Sequence, residues 1–486
     1  MFGGNQRCLT AALMFHLAVT AQSYSYQAVK DICAALETDF SALTLFPGES
    51  LYNYINEVPR NGLARRASAP TSSEHMAHAV AQLKDSDAPF AVRGGGWMPV
   101  PGAANIDSTG ILLATTNLTG LQLSSDLSTV SVASGHDWAE VVDYLSPHDL
   151  VVVGSRIGVV GVPGFLLGGG MSFLSNQYGW ASVNVVGYEA VLACGSIVFA
   201  TADNEYSDLF WALRGGGNNF AIVTKFELKT FNIPSVAVGQ VAYGSGQRDS
   251  FIKNLYDFSQ TGVLDERAFV LPTISFVPAA SPNITYSAIL FYNGNNTSPS
   301  ALKSFLPPVA SPRSRTFSVR TMANWTAEAG EGFDKVHGQN FRFLGFSMLA
   351  DLDAMYAESG PAIEGFISTL AMNAVSKSYI TNNRSADPAD DPMGIDADKA
   401  PYFLCEETFS RTTPDALQLM ADINEELRAK LGETIVPFLY LNNAGGGQDV
   451  FRGYHPANTA RMRAIRDKYD ESGLLTNQLI GGFKLG

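Results

Sequence analysis

The chain has 486 residues, 46% of them hydrophobic and 16% charged. That size exceeds one ordinary core and implies a globular protein of two or more domains. Its 46 acidic against 32 basic residues give a formal charge of -14, which argues against nucleic acid or an anionic membrane surface as partner, since both select excess Lys and Arg.

At the N-terminus, Arg7 precedes the apolar run CLTAALMFHLAVTA, and Val19-Thr20-Ala21 supplies small residues before Gln22. This is the pattern of a secretory signal over residues 1–21 and predicts export, to a secreted or lumenal location. Sequons at Asn117, Asn283, Asn295, Asn296, Asn324 and Asn383 are candidate N-glycan acceptors on that route; Asn295 and Asn296 overlap. No later segment reads as a membrane span. Ile157 to Leu174 is nearly all apolar, but its six glycines and Pro163 make it a poor helix.

The stretch PFAVRGGGWMPVPGAANID, Pro89 to Asp107, opens with a short apolar strand signal at Phe90-Ala91-Val92, and Gly94-Gly95-Gly96 follow at once. Glycines there allow positive φ and let consecutive N–H groups face an anion, which suits a pyrophosphate. A plain strand-to-loop connection is the competing reading for one triplet alone. Two further clusters, GVVGVPGFLLGGG (Gly158 to Gly170) and ALRGGGNNFAIVTKFEL (Ala212 to Leu228), weigh against coincidence. A Rossmann fingerprint does not explain them, because GVVGVPG contains Pro163 and lacks the ordered strand, helix and acidic residue.

Punctuation along the chain suggests an N-terminal segment (22–65), a glycine-rich domain (66–236), a second domain (237–430) and a C-terminal segment (431–486). Asn382 to Lys399 reads as an exposed loop. KAPYFLCEETFS, Lys399 to Ser410, reads as a strand; Thr413-Pro414-Asp415 begins a helix to about Lys430, and IVPFLYLNNA resumes as strand. Alternation puts Phe403, Cys405 and Glu407 on one face and Tyr402, Leu404 and Glu406 on the other, so one glutamate at most faces a given pocket. Glu407 is the candidate, against the plainer reading of a solvated carboxylate.

VRGGGW with PVPGAANID, GVPGFLLGGGMSFLSNQYGW, DLFWALRGGGNNFAIVTKFEL, and YLNNA with KYDESGLL together resemble the berberine bridge enzyme-like FAD-linked oxidases of the vanillyl-alcohol oxidase superfamily. The resemblance runs from about Pro70 to the C-terminus. It implies an α+β fold: a PCMH-type FAD-binding domain of two α+β subdomains, a substrate domain on an antiparallel sheet covered by helices, and a C-terminal return to the flavin. It also implies that Arg93, Gly94, Gly95 and Gly96 cradle the pyrophosphate, that Gly161, Gly164, Gly168, Gly169 and Gly170 pass close to FAD, and that Ile222 and Val223 offer backbone to the adenine end. In the Y-x-N pattern it puts Tyr440 near flavin and substrate and Asn442 near the isoalloxazine edge.

The departures are chemical. Relatives attach the flavin through a histidine at the position of Trp97, and some add a cysteine at that of Ile157; neither side chain here has a nucleophilic atom, so FAD is expected to be noncovalent. Trp97 then either fills the vacated space or stacks beside the flavin. Val183 stands before Asn184 where relatives often have aspartate, which removes one polar contact. Loss of Cys8 with the signal leaves Cys33, Cys194 and Cys405, at most one intramolecular bridge, and the usual partner for Cys33 is missing between Ala64 and Pro70. No CxxC or His/Cys cluster supports a metal site.

These features predict an FAD-dependent oxidase acting on a small, partly apolar secondary-metabolite intermediate. A base, with Tyr440 the candidate, deprotonates substrate while hydride passes to flavin N5, and dioxygen reoxidises the flavin. A tyrosine titrates near pH 10, roughly, so that role requires a neighbouring cation or developing negative charge; a core tyrosine with a satisfied hydroxyl is the competing reading. A redox-neutral isomerase or cyclase on the same scaffold, and a secreted ligand-binding protein without turnover, are the alternatives.

Overall fold

A computed structural model describes residues 26–39, 44–45, 66–276, 283–334, 341–358, 367–382, 390–410, 422, 425–426 and 428–486. The expected signal segment, Asn383 and most of the helix expected after Thr413 lie outside the described residues.

Local rules set the elements of the glycine-rich half. The helix Ser73–Lys84 starts where the Ser72 side chain accepts the His75 N–H, and it buries Met76, Ala79, Val80 and Leu83, one helical face. In Trp138–Leu145, Asp137 and Glu140 form a reciprocal capping box, and Trp138, Val141, Val142 and Leu145 turn inward.

Those helices pack on two small sheets. In the first, β1 (Thr44–Leu45) pairs antiparallel with β2 (Arg66–Ser68), while β2 and β3 (Phe90–Arg93) flank β4 (Ile111–Ala114) in parallel. The second is antiparallel, in the order β5 (Leu121–Leu123), β6 (Thr129–Ala133), β10 (Ile222–Lys229), β8 (Val185–Val191), β9 (Ile197–Ala200). A two-stranded ribbon of β7 (Leu150–Val151) and β11 (Phe231–Asn232) leads out of this half.

The other half is a nine-stranded antiparallel sheet. Its main order is β15 (Ser314–Arg315), β12 (Val236–Tyr243), β14 (Thr285–Tyr292), β13 (Ala268–Phe276), β18 (Ile367–Val375), β19 (Tyr402–Ser410), β17 (Phe341–Leu349), β20 (Ile435–Val436), with β16 (Ser318–Arg320) also on β12. Strand alternation divides its side chains between two cores. Phe346, Met348, Met372, Phe403 and Cys405 pack with Phe251, Ile252, Leu255 and Phe258 of the helix Arg248–Gln260. Phe269, Leu271, Phe291, Tyr402 and Leu404 face the opposite way, into the large core of the glycine-rich half. Phe173 anchors that seam, stacked on Phe291 at 4.9 Å and edge-on to Phe269 at 5.8 Å. Such pairs add about 1 kcal/mol each beyond simple burial.

The C-terminal chain then returns to the first sheet. Leu479 bridges Phe90, and the Ile480 N–H donates to the Phe90 carbonyl at 2.8 Å. Asn219 clamps the tail, donating to the Phe483 carbonyl and accepting the Leu485 N–H. The fold is α+β, with the antiparallel sheet covered by helices on one face. No helix among the described residues is long and apolar enough to cross a membrane.

Candidate active site

The glycine turn after β3 meets the start of the helix Val162–Leu167. A Cβ on Gly95 would stand 2.6 Å from the Gly161 Cα, and one on Gly94 would stand 2.5 Å from Pro163 Cγ. Two glycine runs nearly 70 residues apart in sequence therefore touch through their backbones, which larger residues forbid. Gly96 turns at φ 69°. Among the described residues no acceptor takes the N–H groups of Gly94, Gly95 or Gly96. Three consecutive donors at a glycine turn fit a pyrophosphate, and in this respect the chain fits FAD.

The Arg93 side chain supports the loop after the turn. Its guanidinium is buried, donates to the Ala104 carbonyl at 3.2 Å and to Asn105 Oδ1, and so ties down the loop that follows the turn. Burial pulls its pKa down to about 10, which leaves it charged at neutrality. Trp97 is half-buried, its Cδ1 on the Gly95 side of the turn. Ile157 follows Arg156, its N–H donating to Ser155 Oγ.

At the far end of the helix Val162–Leu167, Gly168, Gly169 and Gly170 lead to Tyr440. The Tyr440 hydroxyl accepts the Met171 N–H and the Asn442 side-chain amide, both at 3.0 Å, and Asn442 also donates to the Phe165 carbonyl. A Cβ on Gly168 would overlap the Asn442 carboxamide, so a larger residue there has to displace that side chain. The tilted ring of Trp180 lies 5.4 Å from Tyr440, and Tyr379 meets Trp180 edge-on at 5.0 Å.

Asn184 holds a neighbouring turn by donating to the Tyr178 and Trp180 carbonyls at 2.8 and 2.9 Å. Ile222 and Val223 begin β10 and are buried; the Val223 carbonyl accepts from Ser134 Oγ at 2.6 Å.

The glutamate assignment is corrected by the sheet. Glu406 pairs across to Gly345 and Ala371, and a Cβ on Gly345 would contact the Asn443 carbonyl. The face carrying Glu406 is therefore the one turned toward Tyr440–Asn443. Glu407 shares its face with Phe403 and Cys405, on the helix-covered side, and its buried Oε2 has no partner among the described residues. The alternation was legible; which face met the site was not, because it depends on how the sheet docks.

Arg156 was not singled out by sequence. It reaches from the glycine-rich half to the sheet, where Nη1 donates to Asn373 Oδ1 on β18. Its charge acts on Glu406, Tyr440 and Tyr379. Burial pushes the Glu406 carboxyl up to about 7, against the opposing pulls of the Thr408 hydroxyl and Arg156. Burial likewise pushes the Tyr440 phenol up to about 12, despite the Asn442 amide and Arg156. At neutral pH the carboxyl can hold or release a proton, whereas the phenol keeps its own. The only advance signal for Arg156 was its place immediately before Ile157. No cluster among the described residues has the makings of a metal site.

Comparison with known proteins agrees with this architecture. A family model described as FAD binding domain matches residues 64–201. The chain is 29% identical over 507 aligned residues to the FAD-dependent monooxygenase prx3 of Penicillium roqueforti, with 98% of each covered. It is 28% identical to the bifunctional solanapyrone synthase of Alternaria solani, over 93% of this chain and 88% of that protein. Among solved structures it superposes on 6-hydroxy-D-nicotine oxidase of Arthrobacter nicotinovorans with a TM-score of 0.74 at 20% identity, covering 91% of this chain and 97% of that one. With a berberine bridge enzyme variant in complex with (S)-reticuline the TM-score is 0.75 at 17% identity, covering 94% and 100%. The chain thus carries an FAD binding domain, is similar along nearly its whole length to proteins named FAD-dependent monooxygenases and oxidoreductases, and shares the fold of the berberine bridge enzyme-like structures.

Proposed function

We propose that the protein is an oxidase that holds FAD noncovalently and oxidises a small, partly apolar secondary-metabolite intermediate. The observation that carries this reading is the convergence of Glu406, Arg156 and Tyr440 from three distant segments, on the side of the sheet that faces the glycine-rich half. FAD, when bound, supplies a hydride acceptor at N5 that dioxygen reoxidises. Trp97 and Ile157 support noncovalent binding, because neither offers a nucleophile at the positions where relatives form the link.

Glu406 is the base. Its ordinary affinity for protons, raised to about 7 by burial, matches a group that accepts a substrate proton near neutrality. Tyr440, at about 12, serves instead as a donor: its oxygen accepts from Met171 and Asn442, and its own proton is left to bond a substrate oxygen. This reverses the sequence expectation that Tyr440 is the base. Arg156 favours the carboxylate form of Glu406 and any negative charge that develops beside it.

Export with N-glycosylation belongs to the same reading. Asn283, Asn295, Asn296 and Asn324 are exposed, whereas the Asn117 amide is half-buried and donates to the Ala69 carbonyl. A mobility shift of the exported protein on deglycosylation checks this.

The central test is the visible spectrum of the purified protein before and after acid precipitation. Yellow colour that moves to the supernatant supports noncovalent FAD; colour that stays with the pellet overturns that part. Anaerobic bleaching by substrate supports oxidation, whereas turnover without bleaching replaces it with redox-neutral isomerisation or cyclisation. A colourless protein that added FAD does not rescue sinks the reading.

A further inference from the structure

We propose that Arg156 is the specificity-determining anion clamp of the substrate cleft, and that the substrate carries a carboxylate. The inference deepens the reading above and rests on its placement of the cleft.

Both ends of Arg156 are fixed. Its carbonyl accepts the Trp325 indole N–H at 3.2 Å, and its guanidinium donates from Nη1 to Asn373 Oδ1 while lying 5.8 Å from the centre of the Phe269 ring. Asn373 and Phe269 belong to β18 and β13, so the cation points at the sheet. A guanidinium carries five N–H donors in a planar fork. Here Nε and Nη2 meet no protein acceptor, and no carboxylate comes within ion-pair distance of the group among the described residues.

The charge is also deep. Burial pulls the Arg156 pKa down, although part of the residue is still accessible. A buried cation without a counterion is costly. Glu406 attracts it from beyond ion-pair distance and is only partly ionised near neutrality. On the same sheet face the Ser347 hydroxyl is buried and also has no partner among the described residues. An unsaturated fork beside an aromatic ring is suited to a planar carboxylate held bidentately, with an apolar body against the ring.

Benzoate and its neutral isostere benzamide test this, titrated into the FAD-loaded enzyme and followed by flavin absorbance and tryptophan fluorescence. Benzoate is expected to bind saturably and benzamide much more weakly. Arg156→Met should weaken benzoate by roughly 30-fold or more, the usual cost of truncating a buried charged partner, and leave benzamide unchanged; Arg156→Lys, which keeps the charge but loses the fork, should fall between. If Arg156→Met does not fold, Glu406→Gln gives an independent readout: at pH 8 it removes a like charge and should tighten benzoate. Equal binding of benzoate and benzamide, no binding of either, or benzoate affinity indifferent to both substitutions overturns the proposal. A yellow enzyme that turns over but shows no carboxylate preference defeats this inference alone. A protein that holds no FAD defeats the oxidase reading, and the benzoate preference remains readable from fluorescence.

Discussion

The glycine cradle and the Arg156 cleft lie in one molecule but are built from opposite materials. The cradle is backbone: Gly94 and Gly95 approach Pro163 and Gly161 too closely to admit a Cβ, and among the described residues no acceptor takes the N–H groups of Gly94 to Gly96. The cleft is side chains: an arginine from one half, a glutamate from a strand of the other, and a tyrosine from the returning chain. Backbone sites tolerate no Cβ but need little charge. Side-chain sites tolerate reshaping but depend on burial to set their protonation.

The sharpest way to break that contrast is Gly95→Ala. The added Cβ meets backbone at Gly161, which cannot rotate away, so bound FAD, read as the ratio of 450 to 280 nm absorbance (about 450 nm for an oxidised flavin), should be lost almost completely, a strain well above the roughly 1–3 kcal/mol typical of overpacking. Retention of full flavin content would show that the two runs separate easily.

Glu406→Gln should act on chemistry and spare flavin content. Turnover should fall on the order of 100-fold or more, the usual contribution of a general base. In the parent enzyme the active form is the carboxylate, so the rate should rise with pH through about 7; the variant should lose that limb and Glu407→Gln should keep it. A limb that survives Glu406→Gln would move the base elsewhere.

Tyr440→Phe comes next. It removes the acceptor of the Met171 N–H and the Asn442 amide, and leaving such buried donors unmet costs about 1–3 kcal/mol. Denaturant unfolding of the variant measures that cost, and a rate loss larger than the stability loss explains would confirm a hydrogen bond to substrate.

Stability should also depend on pH in a direction set by the buried carboxyls. Glu406 and Glu407 are both raised from an ordinary 4.5 to about 7. Between those values the native state binds more protons than the unfolded state, so their contribution is full below about 4.5 and lost as pH rises through 7. Melting temperatures across that window should fall, and the Glu407→Gln profile should be flatter. The smallest effect is expected at Gly164, inside a helix with nothing within 4 Å of an added Cβ: Gly164→Ala should stabilise the FAD-free protein by about 1 kcal/mol.

Much of the cradle was legible because its signals are local. Gly94 to Gly96 after an apolar strand, and Gly168 to Gly170 after an apolar helix, announce their backbone geometry in a few adjacent letters. Arg93 shows the limit: its place in the turn was legible, but not that its guanidinium donates to the Ala104 carbonyl and Asn105 Oδ1. Glu407 shows another: a period of two separates the faces of β19 but cannot say which face is docked against the other half. Arg156 had almost no local signal, since its partner Asn373 lies more than 200 residues away.

By itself the sequence determined the flavin-type glycine architecture, the absence of a nucleophile at positions 97 and 157, and the presence of Tyr440 and Asn442 in one motif, because each is written in neighbouring residues. Only the tertiary structure decided that Glu406 lies on the sheet face turned toward Tyr440–Asn443, that the Arg156 charge acts on it and that burial holds Tyr440 as a phenol. The physical reason is that proton affinity and charge partnership depend on burial and on distances between segments far apart in the chain, and these exist only once the sheet is docked against the glycine-rich half.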